Sequence, residues 1–282
     1  MAASTTTTLN DLLPSIVAEA LFVASERSIM RGLVKNYTLG ASQGKTVTVP
    51  VYPLQTAAGL TEGTAATPAA VSTDGVVLTV SEVGLATQIT DLSRIGSASN
   101  VIADIGRLFG EAIARKIDQD LTALFSSFST NTLGSNTAVL SAATIFQAVA
   151  KLRSAGVPGN ELYGVFHPAV AYDLKANLTN TYSNPNSGIL QNEAMQMGYV
   201  GMLAGVPIYE TSNLANTGTT GDFVGGVFHR DALGLAVMQD IRIETQRQAL
   251  LRGDDLIATA IYGKGVLYEA YGVAITNDST IL

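Results

Sequence analysis

The 282 residues carry a formal net charge of −7, no cysteine and only 14% charged side chains, against roughly 25% in an ordinary soluble domain, while the hydrophobic fraction is 47%. With no cluster of lysine and arginine, tight direct binding to nucleic acid is disfavoured; with no cysteine, disulfide stapling and thiolate chemistry are excluded. Ala, Gly, Thr, Ser and Asn replace the missing charge, and such a surface repels its own copies weakly, which points to burial against other protein.

The opening MAASTTTTLND is small and polar and predicts a short flexible arm. It lacks the basic and apolar regions of a signal peptide, and no apolar run approaches ~18 residues, so the chain is expected to be soluble, not exported by a classical signal and not inserted in a membrane. From Leu12 onward, Ile16, Ala20, Val23 and Arg27 recur on one helical face, predicting a helix that ends before Gly40. In KTVTVPV, Val47, Val49 and Val51 alternate with Thr46 and Thr48, the period of a strand. Its expected partner is GVVLTVSEVGLATQIT, where a change of parity near Gly84 predicts a bulge or kink. The intervening residues 54–74 hold almost no large side chain, and an isolated hairpin is marginal in water. The hairpin therefore needs a surface to lie on, and a neighbouring subunit is the natural one.

Residues 98–127 read as about thirty residues of helix, ~45 Å long at ~1.5 Å per residue. Ile102, Ile105, Phe109, Ile113, Ile117, Leu121 and Leu124 form one apolar stripe. Asp104, Arg107, Glu111, Arg115 and Asp118 are placed on the opposite, solvated or intersubunit face. Lys116 and Asp120 fall toward the stripe and are expected to pair with each other or across an interface. Gly106 and Gly110 mark close approach by a crossing element. After a Ser/Thr/Asn-rich turn at 126–137 the chain reads as α+β. A helix over SAATIFQAVAKLRSAG is closed by Gly156 and Pro158; then come a strand in ELYGVFH, a helix opened by Pro168 and a polar loop at 177–188. Strands follow in GVPIYETSN, FVGGVFH, LGLAVMQ and IRIETQRQ, and DLIATAIYGKGVLYEAYGVAITND is read as two more, antiparallel across residues 263–265.

Motifs with chemical associations resolve into turns. LGASQGKT, with Gly40, Gly44, Lys45 and Thr46, is one residue short of a phosphate-binding loop and runs into a strand instead of a helix. The same stretch satisfies G-x-S-x-G around Ser42, but in the reverse order to a nucleophile elbow, so a hinge is expected. HRDAL at 229–233 lacks the asparagine of a kinase catalytic loop, with Ala236 at that position. His167 and His229 stand at strand ends without ligand-spaced neighbours and are read as turn or interface residues. Arg252, Gly253 and Asp254 mark a turn, and the sequons at Asn36, Asn177 and Asn277 are moot without export. No set of nucleophile, base and oxyanion donor emerges, so no catalytic, cofactor-binding or metal-binding residue is assigned and no cofactor is expected.

The order of elements, with the KTVTVPV to QITDLSRI hairpin and the spine-like ASNVIADIGRLFGEAIARKIDQDLTALF, resembles the major capsid proteins of tailed double-stranded-DNA bacteriophages, with the Hong Kong phage type shell fold. GYVGMLAGVPIYETSNL at 198–214 is similar to that family's G-x-L-x-G-x-P-[VI]-Y stretch, and ALGLAVMQDIRIETQR adds to the likeness. The resemblance implies an N-terminal arm and helix at 1–40 and an extended loop at 41–96. A peripheral domain with a spine helix would comprise 97–139 and 236–282, and an axial domain 140–235.

It further implies a non-enzymatic structural protein forming pentamers and hexamers of itself. These would close into an icosahedral head that encloses DNA without sequence-specific binding, found in the virion and, during assembly, in the host cytoplasm. A separate scaffolding protein is implied, because the arm is too short to be a fused one, together with a portal and possible decoration proteins. Some relatives crosslink Lys to Asn; Lys45 lies near the hairpin base, but no motif identifies a pair and none is assigned. An encapsulin-like protein nanocompartment is the related alternative. A Ser hydrolase using Ser42 and a secreted fibre or adhesin are alternatives from other classes.

Overall fold

The computed structural model describes residues 28–40, 44–52, 74–96, 101–181, 202–217 and 221–282, with isolated positions between 57 and 70. The chain enters through a single turn, α1 (Met30–Leu33), and turns at once into β1 (Lys35–Thr38). The helix expected to run to near Gly40 therefore stops at Leu33, because Tyr37 and Thr38 favour extended backbone and find a partner strand; its portion before Ser28 lies outside the described residues. β1 pairs in parallel with β10 (Leu233–Gln248), Lys35 opposite Gly234 and Thr38 opposite Val237.

β2 (Thr46–Val51) and β3 (Asp74–Thr79) form the predicted hairpin, Thr46 opposite Thr79 and Val51 opposite Asp74. Its lower half lies on its own subunit: Val49, Leu78 and Val80 bury against Leu39, Ala236 and Leu267 in a second small core. A neighbour is thus not the sole support, as expected from sequence; the hairpin root supplies its own. The parity change falls at Val80, where the chain leaves the hairpin and continues as β4 (Ser81–Thr90) in a different sheet, and not at Gly84. Gly84 sits in unbroken register opposite Thr259, and it is glycine because a Cβ there would lie 2.7 Å from the Ala258 carbonyl oxygen.

α2 (Asp91–Gly96) leads to the long helix α3 (Val101–Thr122), which tightens into a 3₁₀ turn over Ala123–Ser127. Its 22 α-helical residues span ~33 Å, and with the 3₁₀ turn the helical run reaches Ser127, where the sequence predicts its end; residues 98–100 of the expected helix lie outside the described residues. Ile105, Phe109, Ile113, Ile117 and Leu121 are buried as predicted, each contributing about 1.5–3 kcal/mol of gross apolar burial, and Leu124 is half-buried. Asp118 corrects the expectation: Asp104, Arg107 and Arg115 are exposed, but Asp118 is fully buried. Four residues after Ala114 and three before Leu121, it lies on the packed face, which is wider than the hydrophobic stripe alone suggested.

The long helix packs on a four-stranded sheet of order β1-β10-β11-β4, in which β11 (Gly253–Val266) is antiparallel to both neighbours. LGLAVMQ and IRIETQRQ, read as two strands, are one sixteen-residue strand whose register shifts between Val237 and Arg242. β11 likewise continues through residues 263–265, where a turn was expected. Gly263 marks a crossing: a Cβ on it would meet the Thr79 carbonyl oxygen at 2.4 Å, so the hairpin root passes over β11 there.

The second sheet has the order β5 (Thr132–Val139), β12 (Gly272–Asp278), β9 (Phe223–His229), β6 (Leu162–Phe166), β8 (Val206–Glu210) and β7 (Met202–Leu203). β5 occupies part of the expected polar turn at 126–137; its polarity is that of an edge strand with mostly exposed side chains. α4 (Ala142–Ser154) starts where Ser141 accepts a hydrogen bond from the Thr144 amide, and ends at Gly156 with φ +77°. α5 (Pro168–Thr181) opens on proline as predicted and takes in the first residues of the expected 177–188 loop, whose remainder lies outside the described residues. Phe125, 5.4 Å ring to ring from Phe228 and 6.3 Å from Phe128, joins the end of the long helix to the six-stranded sheet, so that one continuous core serves both sheets.

Candidate assembly site

The residues with chemical associations take structural posts. Gly44 has φ +86° and leads into β2, so the phosphate-loop and elbow geometries, which need a following helix, are not formed; Ser42 lies outside the described residues. The His167 ring stacks on Phe223 at 3.8 Å, its Nδ1 accepts from the Ala169 amide, and burial lowers its pKa. His229 Nδ1 accepts from the Asp231 amide at 3.1 Å and caps the turn that follows β9. Both histidines are turn residues, as their positions predicted. The rest of HRDAL is bound in ion pairs, Arg230 with Glu161 at 3.6 Å and Asp231 with Lys35 at 2.8 Å. Arg252, with φ +46°, completes the turn between β10 and β11. Asn277 is buried at 1% exposure and donates to the Ala138 carbonyl. Among the described residues no group of three or more His, Asp or Glu is placed to hold a metal ion, and no helix is long and apolar enough to cross a membrane.

What the surface offers instead is apolar. Leu92 and Ile95 on α2 are 83% and 80% exposed, and Leu250 and Leu251 in the β10–β11 turn are 99% and 59% exposed. These two segments meet at one end of the four-stranded sheet. The Asp91 amide donates to the Arg252 carbonyl at 2.8 Å, and Arg247 binds the Asp91 carboxylate through both terminal nitrogens. Arg247 also reaches Asp254 at 3.4 Å. Four large aliphatic side chains are thereby presented on one corner, which suits burial against another apolar surface. The sequence carries a signal for it in two adjacent leucines inside a polar turn.

Beneath the sheet, the end of the long helix carries two carboxylates in different surroundings. Asp120 accepts from Lys264 at 2.7 Å, Tyr262 at 2.8 Å and Lys116 at 3.0 Å, so the predicted Lys116 pairing is joined by two β11 residues. Burial opposes its charge, but those three bonds outweigh burial and hold the carboxyl below its ordinary range. Burial and the bond to Asp120 push the Tyr262 phenol well up. Asp118, two residues earlier, has no cation within ion-pairing distance among the described residues, and burial raises its pKa despite four hydrogen bonds.

A long helix packed on a four-stranded sheet, a hairpin crossing that sheet at Gly263, a second sheet with two helices and an exposed apolar corner together define the subunit. The family follows: the model for phage capsid proteins matches residues 73–280, and the chain belongs to that family. Among solved structures, the capsid of the cyanophage P-SCSP1u is 19% identical, with 90% of this chain and 89% of that chain covered at a TM-score of 0.72. A structure from Mycobacterium phage Che8 is 22% identical, covering 88% of this chain and 90% of that chain at a TM-score of 0.69. The mature capsid of bacteriophage PhiM1 is 19% identical, covering 90% and 88% at 0.63. The shared property at these identities is the fold, the mixed helix and sheet architecture of tailed-phage capsid subunits that the sequence resemblance implied. No curated protein matches the chain. The protein is thus a structural major capsid protein of a bacteriophage, a self-associating component of the virion shell.

Proposed function

We propose that the chain forms pentamers and hexamers that close into an icosahedral head enclosing double-stranded DNA, and that it carries no catalytic activity. The observation that carries this reading is the corner formed by Leu92, Ile95, Leu250 and Leu251: it is held rigidly, lies outside a core that is already complete, and is repeated on every copy. The net charge of −7 supports a lining that does not cling to DNA, so the genome would be held by confinement without sequence-specific contacts. A separate scaffolding protein, a portal and possible decoration proteins are the partners this role calls for, with assembly in the host cytoplasm.

In this reading residues 1–40 act as arm and helix, and 41–96 as the extended loop. The long helix and the four-stranded sheet form the peripheral part, and the six-stranded sheet the axial part. Thr132–Val139 and Gly272–Asp278 are strands of the six-stranded sheet, and in this proposal they go with the axial part. The test is electron microscopy of the purified chain, alone and with a scaffolding partner. Hollow particles of uniform size are expected, and monomers under every assembly condition would overturn the reading. Particles that co-purify with an enzyme and never with DNA would mean a nanocompartment, and ester turnover abolished by Ser42→Ala would mean a hydrolase.

A further inference from the structure

Three segments distant in sequence meet on the Asp118 side chain. Ser28 Oγ donates to Oδ1 at 2.8 Å, the Met30 amide donates to Oδ1 at 3.2 Å, and the Ile29 amide to Oδ2 at 3.2 Å, so the carboxylate caps α1 from outside its own helix. From the other side, Asn213 Nδ2 donates to Oδ2 at 3.4 Å. The Asn213 carbonyl in turn accepts from Thr122 Oγ1 at 3.4 Å, one helical turn beyond Asp118, and its amide donates to Thr211 Oγ1. Asn213 follows β8 of the six-stranded sheet, whereas Ser28 begins the described chain and α1 is fastened to β10 of the four-stranded sheet through Arg31 and Asp240 at 2.9 Å.

We propose that Asp118 is a coupling latch: one buried carboxylate makes the attachment of the N-terminal root at 28–30 and that of the 211–217 loop depend on each other. Every described group that donates to it is neutral, namely a hydroxyl, two backbone amides and a carboxamide. Of the nearby described cations, Arg31 is engaged with Asp240, and Lys116 and Lys264 with Asp120. A carboxylate with no exposure and no cation stays ionised only while donors replace its lost hydration. Removing a donor on one side therefore raises the burden on the other, and the junction opens as a unit. Such coupling is reciprocal by thermodynamic necessity. It ties the seating of residues 28–30 to the position of a loop of the other sheet, and it holds whether or not the shell reading does.

The test is amide hydrogen exchange on the full-length chain held as unassembled subunit, reading peptides over 28–33 and 211–217. In Ser28→Ala, protection is expected to fall in both peptides, and in Asn213→Ala likewise, by about ten-fold each, as loss of a bond to a charged group implies. Asp118→Asn is expected to loosen both at once. If that variant does not fold, the two donor variants still decide the matter. Loosening confined to the segment that carries the substitution, in either variant, or tightening of the opposite segment, would overturn the proposal.

Discussion

Arg247 and Asp91, 156 residues apart, are joined by two parallel bonds, Nη1 to Oδ1 at 2.8 Å and Nη2 to Oδ2 at 2.6 Å. The fork-to-fork geometry fixes α2 against the β10–β11 turn, and thereby sets Leu92 and Ile95 beside Leu250 and Leu251. Both partners are partly exposed, so solvent screens the pair and it adds little to subunit stability. Arg247→Lys keeps the charge but loses the fork. It should leave the thermal unfolding midpoint nearly unchanged while slowing assembly, measured by light scattering after the subunit is mixed with its scaffolding partner.

The apolar corner itself makes a sharper prediction. Leu250, at 99% exposure, contributes nothing to the core, and Leu250→Asp should change denaturant stability by less than about 0.5 kcal/mol. If the corner is buried between copies, the same substitution places a desolvated carboxylate in every contact, and particle yield by sedimentation should collapse. Normal yield would show that the corner stays in water.

These corners and crossings mark where the sequence was readable and where it was not. Period-two valines announced β2, and the spacing from Ile105 to Leu121 announced the long helix, because both patterns are local consequences of one packed face. The glycines of YGKGV looked like a turn because glycine serves turns and close approaches equally. Only the distant Thr79, which lies over Gly263, decides between them. Charge alternation puts Asp118 on the solvated side for a related reason: its donors, at Ser28 to Met30 and at Asn213, come from segments that helical periodicity cannot see. The paired roles of Leu92 and Leu250 depend on the Arg247 bridge, and no spacing rule brings those segments together.

Gly263→Ala tests the crossing. The added methyl would sit 2.4 Å from the Thr79 carbonyl oxygen and 2.8 Å from its carbon, both backbone atoms that cannot step aside by rotating a side chain. A loss of about 1–3 kcal/mol is expected from overpacking, with increased proteolytic cleavage of the displaced hairpin root. Gly159→Ala, where nothing lies within 4 Å, serves as the control and should be neutral or slightly stabilising.

Deleting residues 54–73 and joining the two strands by a short turn should spare folding, since the root is anchored by Val49, Leu78 and Val80 against Leu39, Ala236 and Leu267. Near-UV circular dichroism should be retained while shell closure, seen by electron microscopy, fails. Full assembly of the shortened chain would deny the loop a role between subunits.

Two carboxylates should give opposite pH signatures. Glu269 accepts from Ser129 Oγ, Thr130 Oγ1 and the Thr130 amide, and these bonds lower its pKa from 4.5 to about 2. A depressed folded value means the folded state binds fewer protons than the unfolded one; Glu269 therefore adds stability above about pH 4.5 that is lost as pH falls toward 2. Asp118 runs the other way: burial raises its folded value above 3.8, so the folded state holds its proton longer, and its contribution weakens as pH rises from 3.8 through that raised value. Denaturant unfolding of the unassembled subunit from pH 2 to 7 reads both. Relative to wild type, Glu269→Gln should be less stable at pH 6 and should converge on it near pH 2. Asp118→Asn should show its largest deficit at low pH and a smaller one at pH 7. A deficit for Asp118→Asn that grows with pH would mean that its four donors outweigh burial, and that the latch is strongest when charged.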